Sequence, residues 1–109
     1  MSREREEKGK SLTGRQRRFL RSRGHHLTPV AHIGHQGISE AVLRSIEDVL
    51  TAHELIKVKL GRNCPLPKKE AARTAARLTG AELVQLIGKT ILLYRENKEL
   101  RADQRLRLP

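Results

Sequence analysis

Residues 29–60, PVAHIGHQGISEAVLRSIEDVLTAHELIKVKL, decide the fold. Val30 to Ile33 is a short apolar run of β type, and Leu55 to Leu60 is a second one with strict alternation. Between them Ile38, Val42, Ile46, Val49 and Leu50 recur at three- and four-residue spacing, which predicts an amphipathic helix ending near Ala52. In the second strand the period of two puts Leu55, Lys57 and Lys59 on one face and Ile56, Val58 and Leu60 on the other. Two lysines therefore share the less apolar side of a strand.

The turn inside this unit is Gly34-His35-Gln36-Gly37. Two glycines three apart bring backbone close to whatever lies outside and permit φ > 0. Backbone N–H groups there, with the positive end of the next helix, suit an anion. The plainer reading is a tight strand-to-helix turn with no ligand.

Upstream, Thr13 is placed to cap a helix running to about Arg23 with Gly24 as its stop. Its large apolar residues are Leu12, Phe19 and Leu20, set among Arg15, Arg17, Arg18, Arg21 and Arg23. This is either a solvated helix with few anchors or a phosphate-contacting one. Residues 1 to about 11 are charged, basic and without periodicity, and are expected to be a disordered arm. Downstream, Pro67 fits the first turn of a third helix that runs to Leu78, with Gly80 after it. Its alanines supply a shallow apolar surface for close packing on a sheet. Lys69, Arg73 and Arg77 form a basic ridge along it. Leu83–Ile87 and Thr90–Tyr94 are two strands joined by Gly88-Lys89, the spacing of a two-residue hairpin. From Arg95 the chain turns polar and reads as a charged tail or frayed helix over 96–109.

The predicted order is α-β-α-β-α-β-β, an α/β domain over 12–95 with one mixed sheet and helices packed on it. The chain has 109 residues, 37% of them hydrophobic, which is enough for one core. Twenty-three Lys and Arg stand against 12 Asp and Glu, giving a formal net charge of +11 and favouring a polyanionic partner. Phe19 and Tyr94 are the only Phe, Tyr or Trp residues, so phosphate and shape contacts are expected to outweigh base stacking. No apolar run is long enough to span a membrane, and no secretory signal pattern opens the chain. A single cysteine, Cys64, fits a reducing cytoplasm.

Leu27-Thr28-Pro29-Val30, the Gly34–Gly37 loop, His53-Glu54-Leu55-Ile56-Lys57-Val58-Lys59 and Gln85 through Arg95 together resemble a CRM domain (chloroplast RNA splicing and ribosome maturation). As a short chain it is similar to the bacterial YhbY-type RNA-binding proteins. The resemblance implies a four-stranded mixed sheet, a shape related to the C-terminal domain of a bacterial translation initiation factor. It also implies RNA binding in ribosome biogenesis, on ribosomal RNA in large-subunit (50S) precursors. In this loop His35 and Gln36 stand where many family members carry a basic residue, so contact there is expected through backbone.

The expected RNA-binding surface is composite. Gly34, His35, Gln36 and Gly37 with the next helix's N-terminus hold one phosphate; Arg15, Arg18, Arg21, Lys57 and Lys59 track its neighbours. Lys89 is added by the resemblance. Such contacts position a protein and carry little sequence information. Other classes fit less well. His25, His26, His32, His35 and Cys64 lack the paired spacing of a zinc site, and Cys64 beside Pro65 has no orienting acid. No enzyme activity, metal, cofactor, small-molecule substrate or membrane partner is expected, and the chain is expected to act as a monomer. The alternative is a general nucleic-acid-binding or ribosome-associated scaffold protein.

Overall fold

The computed structural model describes residues 12–109, so the N-terminal arm expected over 1–11 lies outside the described residues. The elements are α1 (Gly14–Gly24), β1 (Pro29–Ile33), α2 (Glu40–His53), β2 (Leu55–Leu60), α3 (Lys68–Thr79), β3 (Glu82–Ile87) and β4 (Thr90–Tyr94), then a short 3-10 turn at Ala102–Gln104. The strands form one sheet in the order β1-β2-β4-β3. β1 and β2 are parallel, while β4 is antiparallel to both of its neighbours. This is the mixed sheet that the sequence predicts.

The helix ends follow from identifiable residues. Thr13 Oγ1 accepts the Gln16 N–H and the Gln16 side chain accepts the Thr13 N–H, both at 3.0 Å, a reciprocal capping box. Ser39 Oγ accepts the Val42 N–H at the start of α2. α3 begins after Pro67 and stops at Gly80, whose φ of 69° is left-handed.

Alternation in β2 divides the interior as its sequence indicates. Ile56, Val58 and Leu60 face α2 and α3, where Ile46, Leu50 and the four buried alanines of α3 complete the larger core. Alanine at Ala71, Ala72, Ala75 and Ala76 lets the α3 backbone lie close on the sheet. Leu55 faces the other way, towards Leu20 of α1, Val84, Leu92 and Tyr94. An irregularity between Leu83 and Gln85 in β3 accommodates Val84 in this second cluster. Arg17 of α1 donates to the Leu83 carbonyl there at 3.0 Å.

The segment after Arg95 is neither free nor helical as a whole. It folds back beneath α1, and Leu106 and Leu108 pack with Leu12 and Phe19 on the second cluster. Its anchor is Glu54, a fully buried carboxylate just after α2 whose φ of 65° is unusual for a side-chain-bearing residue. Glu54 Oε2 accepts the Asn97 N–H and Oε1 the Leu106 N–H, each at 2.7 Å. Arg105 Nε lies 3.9 Å from the same carboxylate. Nearby, Arg95 donates to Glu47 Oε1, the Thr79 carbonyl and Thr51 Oγ1, tying α2 to the end of α3.

Candidate nucleic-acid interface

Because β1 and β2 are parallel, the loops that follow them leave the sheet from the same edge. β4 runs the other way, so its first residue, and the hairpin tip before it, reach that edge too. Two hydrogen bonds fasten the three loops together. Gly61 N–H donates to the Ile33 carbonyl at 2.8 Å, and Leu60 N–H donates to the Lys89 carbonyl at 2.7 Å. A methyl group on Gly37 would lie 3.4 Å from Pro65 Cγ, so the Gly34–Gly37 turn also rests on the loop after β2. The C-terminal ends of parallel strands are a common place for ligand-binding loops.

The two loop glycines have different reasons to be there. Gly37 has φ of 67°, a conformation that other residues adopt at a cost, and its N–H closes the turn on the Gly34 carbonyl at 3.0 Å. Gly34 has no positive φ, and a methyl group there would sit 3.6 Å from the His32 ring, an ordinary contact. The fold therefore requires glycine at Gly37 and tolerates alanine at Gly34. One backbone donor that the sequence offers to an anion, the Gly37 N–H, is consumed by the turn. His35 and Gln36 are exposed at its tip.

Lys59 lies between His32 of β1 and Thr90 of β4 in the sheet register, on the α1 side and next to the loop edge. Lys57 lies one pleat further in, beside Pro29 and Leu92, and is half-buried. Lys89 is exposed at the hairpin tip. The structure thus gathers Gly34–Gly37, Lys59 and Lys89 at one end. Arg62, exposed in the loop after β2, belongs to the same end and was missed by the sequence reading. The available signal was positional: it directly follows the Gly61 that ends a strand parallel to β1.

α1 covers the same side of the sheet as Lys57 and Lys59, over Leu55, Val84, Leu92 and Tyr94. Gln16 Nε2 donates to the Pro109 carbonyl, and Phe19 packs near Leu106 and Leu108, so the Gln16–Phe19–Arg23 edge of α1 faces the C-terminal segment. At 100° per residue Arg18 and Arg21 occupy the opposite edge of α1. Arg21 is half-buried and Arg18 exposed. Arg15 is exposed, on the solvent side of α1 opposite Leu20. The ridge Lys69, Arg73 and Arg77 is exposed on α3, which covers the other face of the sheet. It does not join the cations around the loop.

Among the described residues no group of three or more His, Cys, Asp or Glu is arranged to hold a metal ion. No helix of the described residues is long and apolar enough to cross a membrane. The Tyr94 hydroxyl is pushed up to about 12 by burial first, then by the charges of Glu54 and Glu96, with Arg105 opposing. Tyr94 ends β4 at the edge remote from the Gly34–Gly37 loop, beside the C-terminal segment.

The sequence profile of the CRS1/YhbY (CRM) domain matches residues 12–95, which run from the residue before the α1 cap to the end of β4 and Arg95. The chain belongs to the CRM domain family. Among its relatives the "Probable RNA-binding protein YqeI" of Bacillus subtilis is 43% identical over 98 residues, covering 90% of this chain and 99% of that protein. A Haemophilus influenzae protein named "RNA-binding protein" is 40% identical, covering 82% of this chain and 90% of its own length. The solution structure of the hypothetical protein SAV1595 from Staphylococcus aureus superimposes with a TM-score of 0.75. It is 44% identical to this chain, covering 91% of it and 100% of that one. The CRM match thus takes in the loop edge, the sheet and α1, while the segment after Arg95 falls beyond it.

Proposed function

We propose that this CRM-domain chain binds RNA through the loop edge of its sheet and the face carrying α1, and that its target is ribosomal RNA in precursors of the large subunit. It acts as a monomeric, non-catalytic factor in the cytoplasm, contributing to ribosome assembly. The observation that carries the RNA reading is the convergence of three loops at one sheet edge. They set Lys59, Arg62 and Lys89 around the Gly34–Gly37 turn in a chain of net charge +11. The names of the relatives support RNA over other polyanions, and the ribosomal target is what the family resemblance implies. Contacts of this kind go to phosphate and leave selectivity to the shape of the RNA.

The test is affinity for a structured RNA as a function of salt. Neutralising ~5–7 phosphates predicts a log–log slope of about −4 to −6. A flat dependence defeats the reading, as does preference for duplex DNA in competition. Crosslinking in cells and sequencing the attached RNA addresses the target: precursor large-subunit RNA is expected, and its absence removes the assembly role. Gly34→Ala isolates the loop, since the fold accommodates that methyl group. Weaker binding by a variant of unchanged stability is expected.

A further inference from the structure

The other end of β1 carries a second feature. Where α1 ends and turns into β1, a cleft of about 320 Å³ opens between Arg23, Leu27, Thr28, Val30, His53 and Leu55, with Leu106 of the C-terminal segment closing it. Its size is at the lower end of the range for small-ligand sites, about 300–1,000 Å³. Leu27 and Val30 on its wall are 37% and 47% exposed, large apolar surfaces that the core leaves uncovered.

Planar side chains belong to the end of α1 and the turn that supply its Arg23 and Leu27 walls. The Arg23 guanidinium stacks over the Phe19 ring with its carbon 5.2 Å from the centroid. His25 and His26 meet edge-to-face with centroids 5.3 Å apart, both exposed, in the turn that links Arg23 to Leu27. That turn is closed by the Leu27 N–H on the Gly24 carbonyl at 3.0 Å. His53 stands on the far wall. Composition alone hides this cluster, because three of its rings are histidines.

We propose that this cleft takes an unpaired nucleobase of the same RNA that the loop edge holds by its phosphates. The proposal rests on the RNA reading above and adds a base-dependent contact to it. Apolar walls with Arg23 and His53 among the lining, and two more imidazoles in the adjoining turn, suit a base, which offers a π-face whatever its sequence. Arg23 on the cleft wall suits a phosphate flanking that base, so a charged strand is favoured over an apolar peptide. The geometry also fits one strand bridging both sites. Pro29 at the cleft and Ile33 at the Gly34–Gly37 turn are the two ends of β1, ~13 Å apart at ~3.3 Å per residue. That is a reach of about four nucleotides at a rise of ~3.4 Å, and fewer in an extended strand.

The experiment compares two ten-residue single-stranded RNAs with the full chain. One carries uracil throughout; the other has the same ribose-phosphate backbone without bases. The base-bearing strand is expected to bind about tenfold tighter, within the range for one stacked base. The methyl resonances of Leu27 and Val30 should shift with that strand alone. His25→Ala/His26→Ala, at two exposed positions, should reduce its affinity towards that of the abasic strand and leave the latter unchanged. Equal affinity of the two strands overturns the cleft while RNA binding stands. So do methyl shifts in wild type confined to residues around Gly34–Gly37, a readout independent of how the variant folds. If neither strand nor a structured RNA binds, the RNA reading and the cleft fall together. An apolar peptide that displaces no RNA yet shifts Leu27 and Val30 reassigns the cleft to a protein partner.

Discussion

The two faces of the sheet are built to different standards. Against α2 and α3 the described residues bury twelve side chains in one cluster, all aliphatic. Against α1 they bury five, and the remaining cover comes from half-buried leucines, Phe19 and a returning segment anchored on a buried carboxylate. Apolar burial contributes roughly 25 cal/mol per Å², so the first face carries most of the folding free energy. The second carries Lys57, Lys59 and the arginines of α1. A sheet covered thickly on one side leaves the other free to be polar and to meet a ligand.

The largest expected effect lies on the thick side. Leu50→Ala removes a fully buried side chain and should cost ~2–5 kcal/mol, read by chemical denaturation. RNA affinity of the folded fraction should stay at the wild-type value. If affinity falls as well, the two faces are energetically coupled.

The thin side has its own signature at alkaline pH. Tyr94 ionises near 10 when unfolded and about 12 when folded. The stability due to its neutral hydroxyl is complete below pH 10 and is lost as pH rises through 12. At ~1.36 kcal/mol per pH unit the loss approaches roughly 2–3 kcal/mol. Tyr94→Phe should lack that component, so its stability should fall less than wild type between pH 10 and 12. Parallel curves would show that Tyr94 is no less solvated in the fold than outside it.

Glu54→Gln probes the anchor. The amide keeps an acceptor for one of the two N–H groups and turns a donor towards the other, at a cost of ~1–3 kcal/mol. Hydrogen exchange at Asn97 and Leu106 should accelerate far more than exchange in α2 and α3. Uniform acceleration would mean that the segment and the main core open as one unit. The smallest effect is expected at the end of α1. Thr13→Ala removes one half of the capping box and should cost about 1 kcal/mol, with added exchange confined to the first turn of α1.

Much of this division is legible in the sequence. The period of two in β2 assigns Leu55, Lys57 and Lys59 to one face, and Gly80, Gly88 and Pro67 fall where helix and hairpin ends need them. The returning segment is not legible for a physical reason. Its anchor accepts from backbone N–H groups 43 and 52 residues away, and any residue but proline supplies such a donor. The alternation Leu106-Arg107-Leu108 is too short to set apart from a solvated tail. Arg62 went unnoticed because loop cations have no periodicity, and their placement depends on strand direction. The basic ridge of α3 is plain in sequence, but only layer order shows that it faces away from the loops.

Glu54 also imposes an order of events on a growing chain. The carboxylate is made more than forty residues before either of its N–H partners, and until they arrive it must stay hydrated. Desolvating it earlier would strand a charge in an apolar setting. The α2–α3 side is therefore free to consolidate first, while the arginine helix receives its final seat only when the strand of chain past Asn97 has emerged. Assembly of the α1 layer is thereby timed late in synthesis.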